Sequence, residues 1–291
     1  MFSMLRSTFQ LMRGLGPERE RRLWRDGVIA WDQLGQHAGR RESGLSAATV
    51  ARLSEATTAA ADALAAGRFD QLVGLLPSGE HWRLFAELGD DAAYLDIETG
   101  DDVIGFAGIS ANGILDRHGP ALWLAGPDSM RSFGSFVDRA RHWSMLVTFN
   151  GLSFDLPILR EAFPDWRPPT CHVDLRHVLA RLGLSGGLKA IERRLPSLHL
   201  ARPPHLDGLG GWDSSSLFRR GRDGDRASLR RFAEYNLYDA VNLKTLMAHA
   251  YNALVEAACV EAPALRAATS PVVVPERGDV LYDVSKLLLA L

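Results

Sequence analysis

The chain has 291 residues, of which 46% are hydrophobic and 23% are charged, the balance of a globular protein with a sizeable core. Its formal net charge of −2 excludes binding of nucleic acid through an overall basic surface, although not through a local basic patch. The two cysteines, Cys171 and Cys259, have neither metal-ligand spacing nor a disulfide framework around them. No run of about 18 apolar residues and no secretion signal is present. We therefore expect a cytoplasmic protein that does not enter a membrane.

Residues 1–89 are predicted to form a helical region. PERERRLWRDG, from Pro17, begins with proline and acid and ends at glycine, and SAATVARLSEATTAAADALAAGRF, from Ser46, is an alanine-rich amphipathic run. The stretch MRGLGPERERRLWRDGVIAWDQL resembles a helix-hairpin-helix element, in which a Gly-x-Gly turn offers backbone N–H groups to a phosphate. The alternative is a helical hairpin that only packs against the rest of the protein.

From residue 91 the pattern changes to short strands alternating with helices. AAYLDIET (92–99) and VIGFAGIS (103–110) predict two strands joined by the turn-prone GDD, and ALWLAG (121–126) predicts a third. RSFGSFVDRARHW predicts a helix, MLVTFN a strand, and SFDLPILREAF another helix. This alternation predicts an α/β domain over residues 90–260, with a mixed sheet flanked by helices.

The part of the chain after the last predicted strand is expected to be mainly helical. CHVDLRHVLARL (171–182) and GGLKAIERRL (186–195) predict two helices, and ASLRRFAEYNLYDAVNLKTLMAHAYNAL (227–254) predicts a long final one. Between them, residues 196–225 are rich in Gly, Pro, Ser and Arg and predict a long loop or lid. We expect residues 261–291 to form a C-terminal tail.

Acidic residues in apolar or constrained settings recur through the α/β region. Asp96 and Glu98 are two positions apart in the first strand, so their carboxylates share one face and repel unless both point into water or a cation lies between them. Further acids are found at Asp155, Asp174 and Asp239. Each has an alternative structural role, since Asp155 and Asp174 suit helix N-caps and Asp239 suits a helix surface.

Three of these stretches, in this order, resemble the motifs of a known family. LDIET, FNGLSFDLPIL and YNLYD are similar to the first, second and third motifs of the DEDD 3′ to 5′ exonucleases of the ribonuclease H-like superfamily. Tyr235, four residues before Asp239, is typical of the DEDDy subgroup, whereas the sister subgroup has a histidine where this chain has Glu234. The wider run over residues 91–250 resembles bacterial stand-alone predicted exonucleases. The resemblance implies a ribonuclease H-like sheet flanked by helices.

The resemblance also implies two divalent cations, Mg²⁺ or Mn²⁺, bound by four acids. Such cations favour carboxylate oxygens, activate a water molecule and stabilise the charge that develops on the phosphate. In this arrangement Asp96 bridges the two ions, Glu98 and Asp239 hold the ion that carries the attacking water, and Asp155 holds the other. Tyr235 lies one helical turn before Asp239 and would orient that water, with core packing as the alternative.

Substrate contacts are expected from three further residues. Asn150 and Phe154 precede Asp155 in a loop that borders the scissile nucleotide in the family, and Lys189 is a candidate for a backbone phosphate. The alternatives are a core position for Phe154 and a solvated side chain for Lys189.

A basic segment extends from Arg193 to Arg231 and contains nine arginines and four aspartates. It predicts a basic flap that attracts a polyanion, or alternatively a solvated disordered loop. Trp212 and Phe218 in this segment are candidates for stacking on unpaired bases, or for anchoring the loop to the core.

The sequence therefore predicts a metal-dependent nuclease whose partner is nucleic acid. The resemblance favours a 3′ to 5′ exonuclease that acts on a single-stranded DNA or RNA end. Two alternatives are a structure-selective endonuclease of the same fold and a non-catalytic nucleic-acid-binding protein.

Overall fold

The computed structural model describes residues 3–37, 44–100, 106–126 and 129–275. The chain divides into two units, one formed by residues up to Gly89 together with His249–Val273, and the other by Asp90–Ala248. Residues 101–105, in the predicted GDD turn and second strand, and residues 276–291 of the predicted tail lie outside the described residues. A search of the described residues for a helix with the length and hydropathy of a membrane span finds none.

The described elements are five strands and a series of α-helices. The strands are β1 (Ala92–Thr99), β2 (Ile109–Asp116), β3 (Gly119–Leu124), β4 (Met145–Thr148) and β5 (Cys171–Asp174). The helices are α1 (Pro17–Arg25), α2 (Leu34–His37), α3 (Ala47–Ala65), α4 (Phe69–Leu75), α5 (Phe85–Leu88), α6 (Ser129–Ala140), α7 (Asp155–Ala162), α8 (Leu175–Ala180), α9 (Leu188–Arg194), α10 (Gly211–Arg222), α11 (Arg226–Glu261) and α12 (Leu265–Ala268).

The first unit is helical, and two of its helices begin as the sequence predicts. Helix α1 has Pro17 at its first position, where the missing N–H of proline costs no hydrogen bond. Helix α3 follows Ser46, whose hydroxyl accepts a hydrogen bond from the Thr49 amide at 3.2 Å.

The second unit is built on a mixed five-stranded sheet with the order β3-β2-β1-β4-β5. The central strand β1 pairs antiparallel with β2 and parallel with β4. The outer strands β3 and β5 pair antiparallel with β2 and parallel with β4, respectively. The prediction of an α/β fold with a mixed sheet flanked by helices is therefore confirmed.

Two strands differ from their predicted positions. The predicted second strand at 103–110 is wrong over Phe106–Gly108, which form a 3-10 turn, because β2 begins only at Ile109. The polar Asn112 and the glycine Gly113 within β2 interrupt the apolar pattern that marks a strand. The predicted helix at 171–182 is also wrong at its start. Its first four residues form β5, and α8 begins after Asp174, whose carboxylate accepts from the Arg176 amide at 3.1 Å. Four residues are too few for a periodic pattern to distinguish a strand from a helix.

The prediction of a long loop at residues 196–225 holds for residues 196–210, which contain no α-helix or strand, and is wrong for Gly211–Arg222, as is its disordered alternative. This segment contains α10, whose glycines and serines give it a poor helix propensity. Packing compensates, because Leu217 and Phe218 are buried and the Phe218 ring lies 5.1 Å from that of Phe232. Phe218 therefore anchors the segment to the core and is not exposed for stacking on a base.

The two faces of the sheet are covered by different helices. Leu95 and Ile97 of β1 belong to a core cluster that also contains residues of α6 and α7. A second cluster joins Ala111 of β2 to residues of α10 and α11. Because side chains alternate along a strand, Asp96 and Glu98 project from β1 on the face covered by α10 and α11.

Candidate metal centre

Three carboxylates converge on the face of the sheet that α11 covers. One carboxylate oxygen from each of Asp96, Glu98 and Asp239 lies within 4.8 Å of the other two. Asp96 and Glu98 reach this point from β1, and Asp239 reaches it from α11. Asp239 is buried, whereas the other two are partly exposed. The structure thus brings together three of the four acids that the sequence predicts as metal ligands.

A glycine allows α11 to approach the sheet closely beside Asp96. Gly113 of β2 is the register partner of Asp96, and a Cβ atom at Gly113 would lie 2.4 Å from Oδ1 of Asn236. In the space that this glycine leaves, the Asn236 amide nitrogen donates to the Asp96 backbone carbonyl at 3.0 Å and to its Oδ2 at 2.8 Å. Asn236 therefore fixes the first acid of the cluster in position.

Glu98 is held from the other side by α10. The hydroxyl of Ser214, which is fully buried, donates a hydrogen bond to Oε2 of Glu98 at 2.6 Å. Burial raises the pKa of Glu98 to about 7, although this hydrogen bond opposes the shift. The neighbouring Asp239 carboxylate raises the pKa further. The segment that was predicted to be a loop thus supplies a direct contact to the cluster.

Asp155, the fourth predicted ligand, begins α7 and lies outside the group of three. Its Oδ1 accepts a hydrogen bond from the Ile97 amide at 3.0 Å, so it is tied to β1 between the two strand acids. The side chain is buried, and burial raises its pKa to about 7 against the effect of that hydrogen bond. Its negative charge contributes to the raised pKa of Asp96.

The loop that leads to Asp155 is fastened to β5. Asn150 adopts a φ of +67°, and a Cβ at Gly151 would lie 2.2 Å from Oγ1 of Thr148, so the tight turn requires glycine there. The carboxylate of Asp174 accepts hydrogen bonds from the amides of Asn150 and Leu152 at 2.8 and 3.1 Å. Asp174 is therefore a cap and a loop anchor, the structural role that the sequence allows for it.

The accumulated negative charge of the cluster is compatible with a bound cation. Burial raises the pKa of Asp96 well above its usual range, and the carboxylates of Asp239, Asp155 and Glu98 raise it further. A divalent cation would oppose all of these shifts, since it stabilises the ionised form of each acid. Mg²⁺ and Mn²⁺ prefer carboxylate oxygens, so the donor set fits such an ion.

Lys189 and Tyr235 meet at the edge of the cluster. The Lys189 ammonium group donates to the Tyr235 hydroxyl and lies 3.7 Å from Oδ2 of Asp239. The Tyr235 ring is buried and packs with Leu206 and Tyr238. Burial raises the pKa of Tyr235, so its hydroxyl stays protonated. Lys189 is accordingly part of the site and not a solvated lysine, and Tyr235 combines core packing with a polar contact at the cluster.

A buried arginine, Arg202, also contacts the cluster. Its guanidinium group binds Asp239 and makes a forked contact with Glu192, with N···O distances of 2.9 to 3.1 Å. Asn242 of α11 donates to the same Glu192 carboxylate at 2.8 Å. Burial would lower the pKa of Arg202, but the carboxylates of Asp239 and Glu192 outweigh it and raise that pKa. One fixed positive charge therefore lies beside three acids.

A cavity of about 850 Å³ opens next to this arginine. It is lined by residues between Lys189 and Leu209, among them Lys189, Arg193, His199 and Arg202. Lys189 and Arg202 of this lining also contact Asp239 of the carboxylate cluster.

A family model described as the RNase_H superfamily matches residues 93–251, which is more than half of the chain. The chain belongs to the RNase H superfamily. The matched region runs from β1 into α11 and includes every residue of the metal centre described above. No curated protein and no solved structure matches the chain.

Membership of the RNase H superfamily supports a hydrolase of the nuclease type and nucleic acid as the substrate. It also agrees with the carboxylate cluster, since RNase H-like nucleases typically use divalent metals. The match covers the superfamily and does not single out the exonuclease subfamily that the motifs resemble.

Four residues of the RNase H superfamily site were not predicted from the sequence. Asn236 could have been predicted from its spacing, because it lies three residues before Asp239 and therefore on the same side of a helix. Ser214 and Arg202 lie in the segment expected to be a loop, where no periodicity indicates a direction. Glu192 looks like one more charged residue in GGLKAIERRL, and only the folded chain pairs it with Arg202.

Proposed function

We propose that the protein is a divalent-metal-dependent 3′ to 5′ exonuclease that acts on single-stranded nucleic acid. The single observation that carries this proposal is the convergence of Asp96, Glu98 and Asp239, with Asp155 tied to the same strand and Tyr235 one turn before Asp239. The superfamily match supports a nuclease, and the motif resemblance supports the DEDDy type and the 3′ to 5′ direction.

In this proposal the four acids would hold two Mg²⁺ or Mn²⁺ ions. Such ions would lower the pKa of a water molecule and offset the negative charge that develops on the phosphate. Asn236 holds Asp96 in the required orientation, and Ser214 does the same for Glu98. Such supporting hydrogen bonds fix the direction in which a ligating oxygen points.

Tyr235 and Lys189 are proposed to act on the attacking water and the phosphate. Because Lys189 donates to the Tyr235 oxygen, the phenolic hydrogen remains available for donation toward a water or a phosphate oxygen. The ammonium group of Lys189 lies at the border of the cluster, where it would contact a phosphate of the substrate. Asn150 and Phe154, in the loop before Asp155, are proposed to contact the terminal nucleotide.

The proposal also assigns the domains. The second unit, Asp90–Ala248, would form the catalytic domain, and the first unit, residues 1–89 with His249–Val273, would form a helical domain.

End-labelled strands test the function directly. Purified protein is incubated with 5′-labelled single-stranded DNA and RNA in Mg²⁺, Mn²⁺ or chelator, beside a circular single strand. A ladder that shortens from the 3′ end only with metal supports the proposal. Cleavage of the circle would instead support an endonuclease, and binding without any product would support a non-catalytic binding protein.

A further inference from the structure

The large apolar side chains that the described part of the second unit exposes lie close in the chain to residues that form or contact the metal centre. They are Leu152, Phe154 and Trp212, with 53%, 39% and 94% of their surface exposed. Leu152 and Phe154 come directly before Asp155 in the chain. Trp212 lies two residues before Ser214, which donates to Glu98. With 94% of its surface exposed, the indole of Trp212 is available to stack on a ligand.

Helix α10 turns one face to the metal centre and another to solvent. Ser214, Leu217 and Phe218 are buried, which fixes the rotation of the helix. The exposed Trp212, Ser216 and Arg219 follow at i, i+4 and i+7, so they form one stripe about 10 Å long on the outer face.

Exposed arginines lie in and directly after the helix that carries this stripe. Residues 211–231, which comprise α10 and the first turns of α11, contain six arginines and three aspartates. Arg219, Arg220 and Arg222 are exposed at the end of α10, and Arg226 and Arg230 are exposed at the start of α11. This excess is local, because the whole chain has a net charge of −2. A polyanion that approaches three carboxylates needs such compensation nearby.

We propose that the outer face of α10 is a track for single-stranded nucleic acid, with Trp212 stacking on a base and Arg219 contacting a phosphate. The proposal rests on the proposed function, since it gives the nucleic acid substrate a binding surface on the helix whose Ser214 contacts Glu98. Stacking on Trp212 requires an unpaired base, because the bases of a duplex already stack on one another. The combination of one exposed indole and flanking arginines is typical of surfaces that bind single strands without sequence preference.

Fluorescence anisotropy in chelator measures this binding without any hydrolysis. The probe is a labelled single strand of about 12 nucleotides, a length suited to a surface of this size. We expect Trp212→Ala to weaken binding about tenfold and Trp212→Phe to retain most of the affinity. Arg219→Ala should reduce the steepness of the salt dependence by about one phosphate contact. Arg141→Ala is the matched control, because Arg141 is 70% exposed and lies outside α10 and α11.

The outcomes separate this proposal from the nuclease itself. Unchanged affinity in Trp212→Ala, absence of binding by the wild type, or equal affinity for a duplex would overturn the track. Hydrolysis by the wild type in Mn²⁺ is measured in a separate assay. If Trp212 contributes to binding but no product forms, the binding surface on α10 is supported and the nuclease function is refuted. If the protein cleaves the strand and Trp212→Ala binds it as well as the wild type does, only the binding surface is refuted.

Discussion

The guanidinium group of Arg202 lies directly against the carboxylate of Asp239, and it forms a second ion pair with the carboxylate of Glu192. All three side chains are almost completely buried. Removal of one member of a buried ion pair leaves an uncompensated charge away from water, which is more damaging than removal of both members.

Arg202→Gln is therefore expected to destabilise the fold strongly. We expect the free energy of unfolding to fall by about 3–5 kcal/mol, because Glu192 is left buried and unpaired. Urea unfolding in chelator measures the change. The double variant Glu192→Gln with Arg202→Gln should recover a large part of the loss, and additive effects of the two substitutions would contradict a coupled pair.

Neutralising either acid at the centre should abolish hydrolysis. Asp96→Asn and Asp239→Asn preserve side-chain shape but weaken binding of a divalent cation, so we expect turnover to fall at least about a thousandfold. Single-turnover assays in Mn²⁺ measure the rate, and circular dichroism checks the fold. Retained turnover in either folded variant would refute these positions as metal ligands.

Tyr235→Phe should slow the reaction while leaving metal binding almost intact. Loss of the hydroxyl would remove the hydrogen bond that we propose for the reacting water, so we expect kcat to fall about 10- to 100-fold. Titration with Mn²⁺, followed by electron paramagnetic resonance, should give nearly the wild-type affinity. Tyr238→Phe, three residues further along α11, is the control. An equal loss of rate in both variants would indicate a packing role.

Without metal, the stability of the protein should decrease as the pH rises from about 4 to about 7. Glu98 and Asp155 have pKa values of about 7 in the folded protein, above their ordinary values of 4.5 and 3.8. In this window the folded state retains protons that the unfolded state has released, so the stability due to these groups is complete at low pH and is lost as the pH passes through 7.

Thermal unfolding in chelator across that range tests the effect. Asp155→Asn removes one of the titrating groups and should make the slope shallower. Saturating Mn²⁺ should stabilise the wild type most at the higher pH, because the cation binds the ionised acids. A stability in chelator that rises between pH 4 and 7 and is unaffected by Asp155→Asn would contradict the raised pKa values.

Gly113→Ala should damage both the fold and the site. The new methyl group would lie 2.4 Å from Oδ1 of Asn236 and 3.3 Å from its backbone oxygen, so α11 or its asparagine must move. We expect a loss of about 1–3 kcal/mol in the free energy of unfolding, together with lower activity. Gly134→Ala, in α6, is the matched control, since nothing lies within 4 Å of a Cβ there. Equal stability of the two variants would show that the close approach is unimportant.

Local spacing explains which parts of the site could be predicted. Asp96 and Glu98 were predictable as neighbours because a strand alternates, and Tyr235 with Asp239 because a helix repeats after four residues. The convergence of these pairs follows from the motif resemblance, not from periodicity alone. By contrast, the contact of Ser214 with Glu98 spans more than a hundred residues, and the serine-rich sequence of α10 gives little indication of a helix. Long-range pairing of this kind is invisible to any local pattern.

The hydrogen bond from Asn236 makes the two oxygens of Asp96 chemically unequal. One lone pair of Oδ2 accepts the amide hydrogen, whereas Asn236 donates nothing to Oδ1. The asparagine thus occupies one of the positions at which a cation could coordinate Asp96, and it biases coordination toward the remaining lone pairs. A carboxylate that is symmetric in solution thereby becomes a directional donor, and its direction is set by an amide on a helix 140 residues away in the chain.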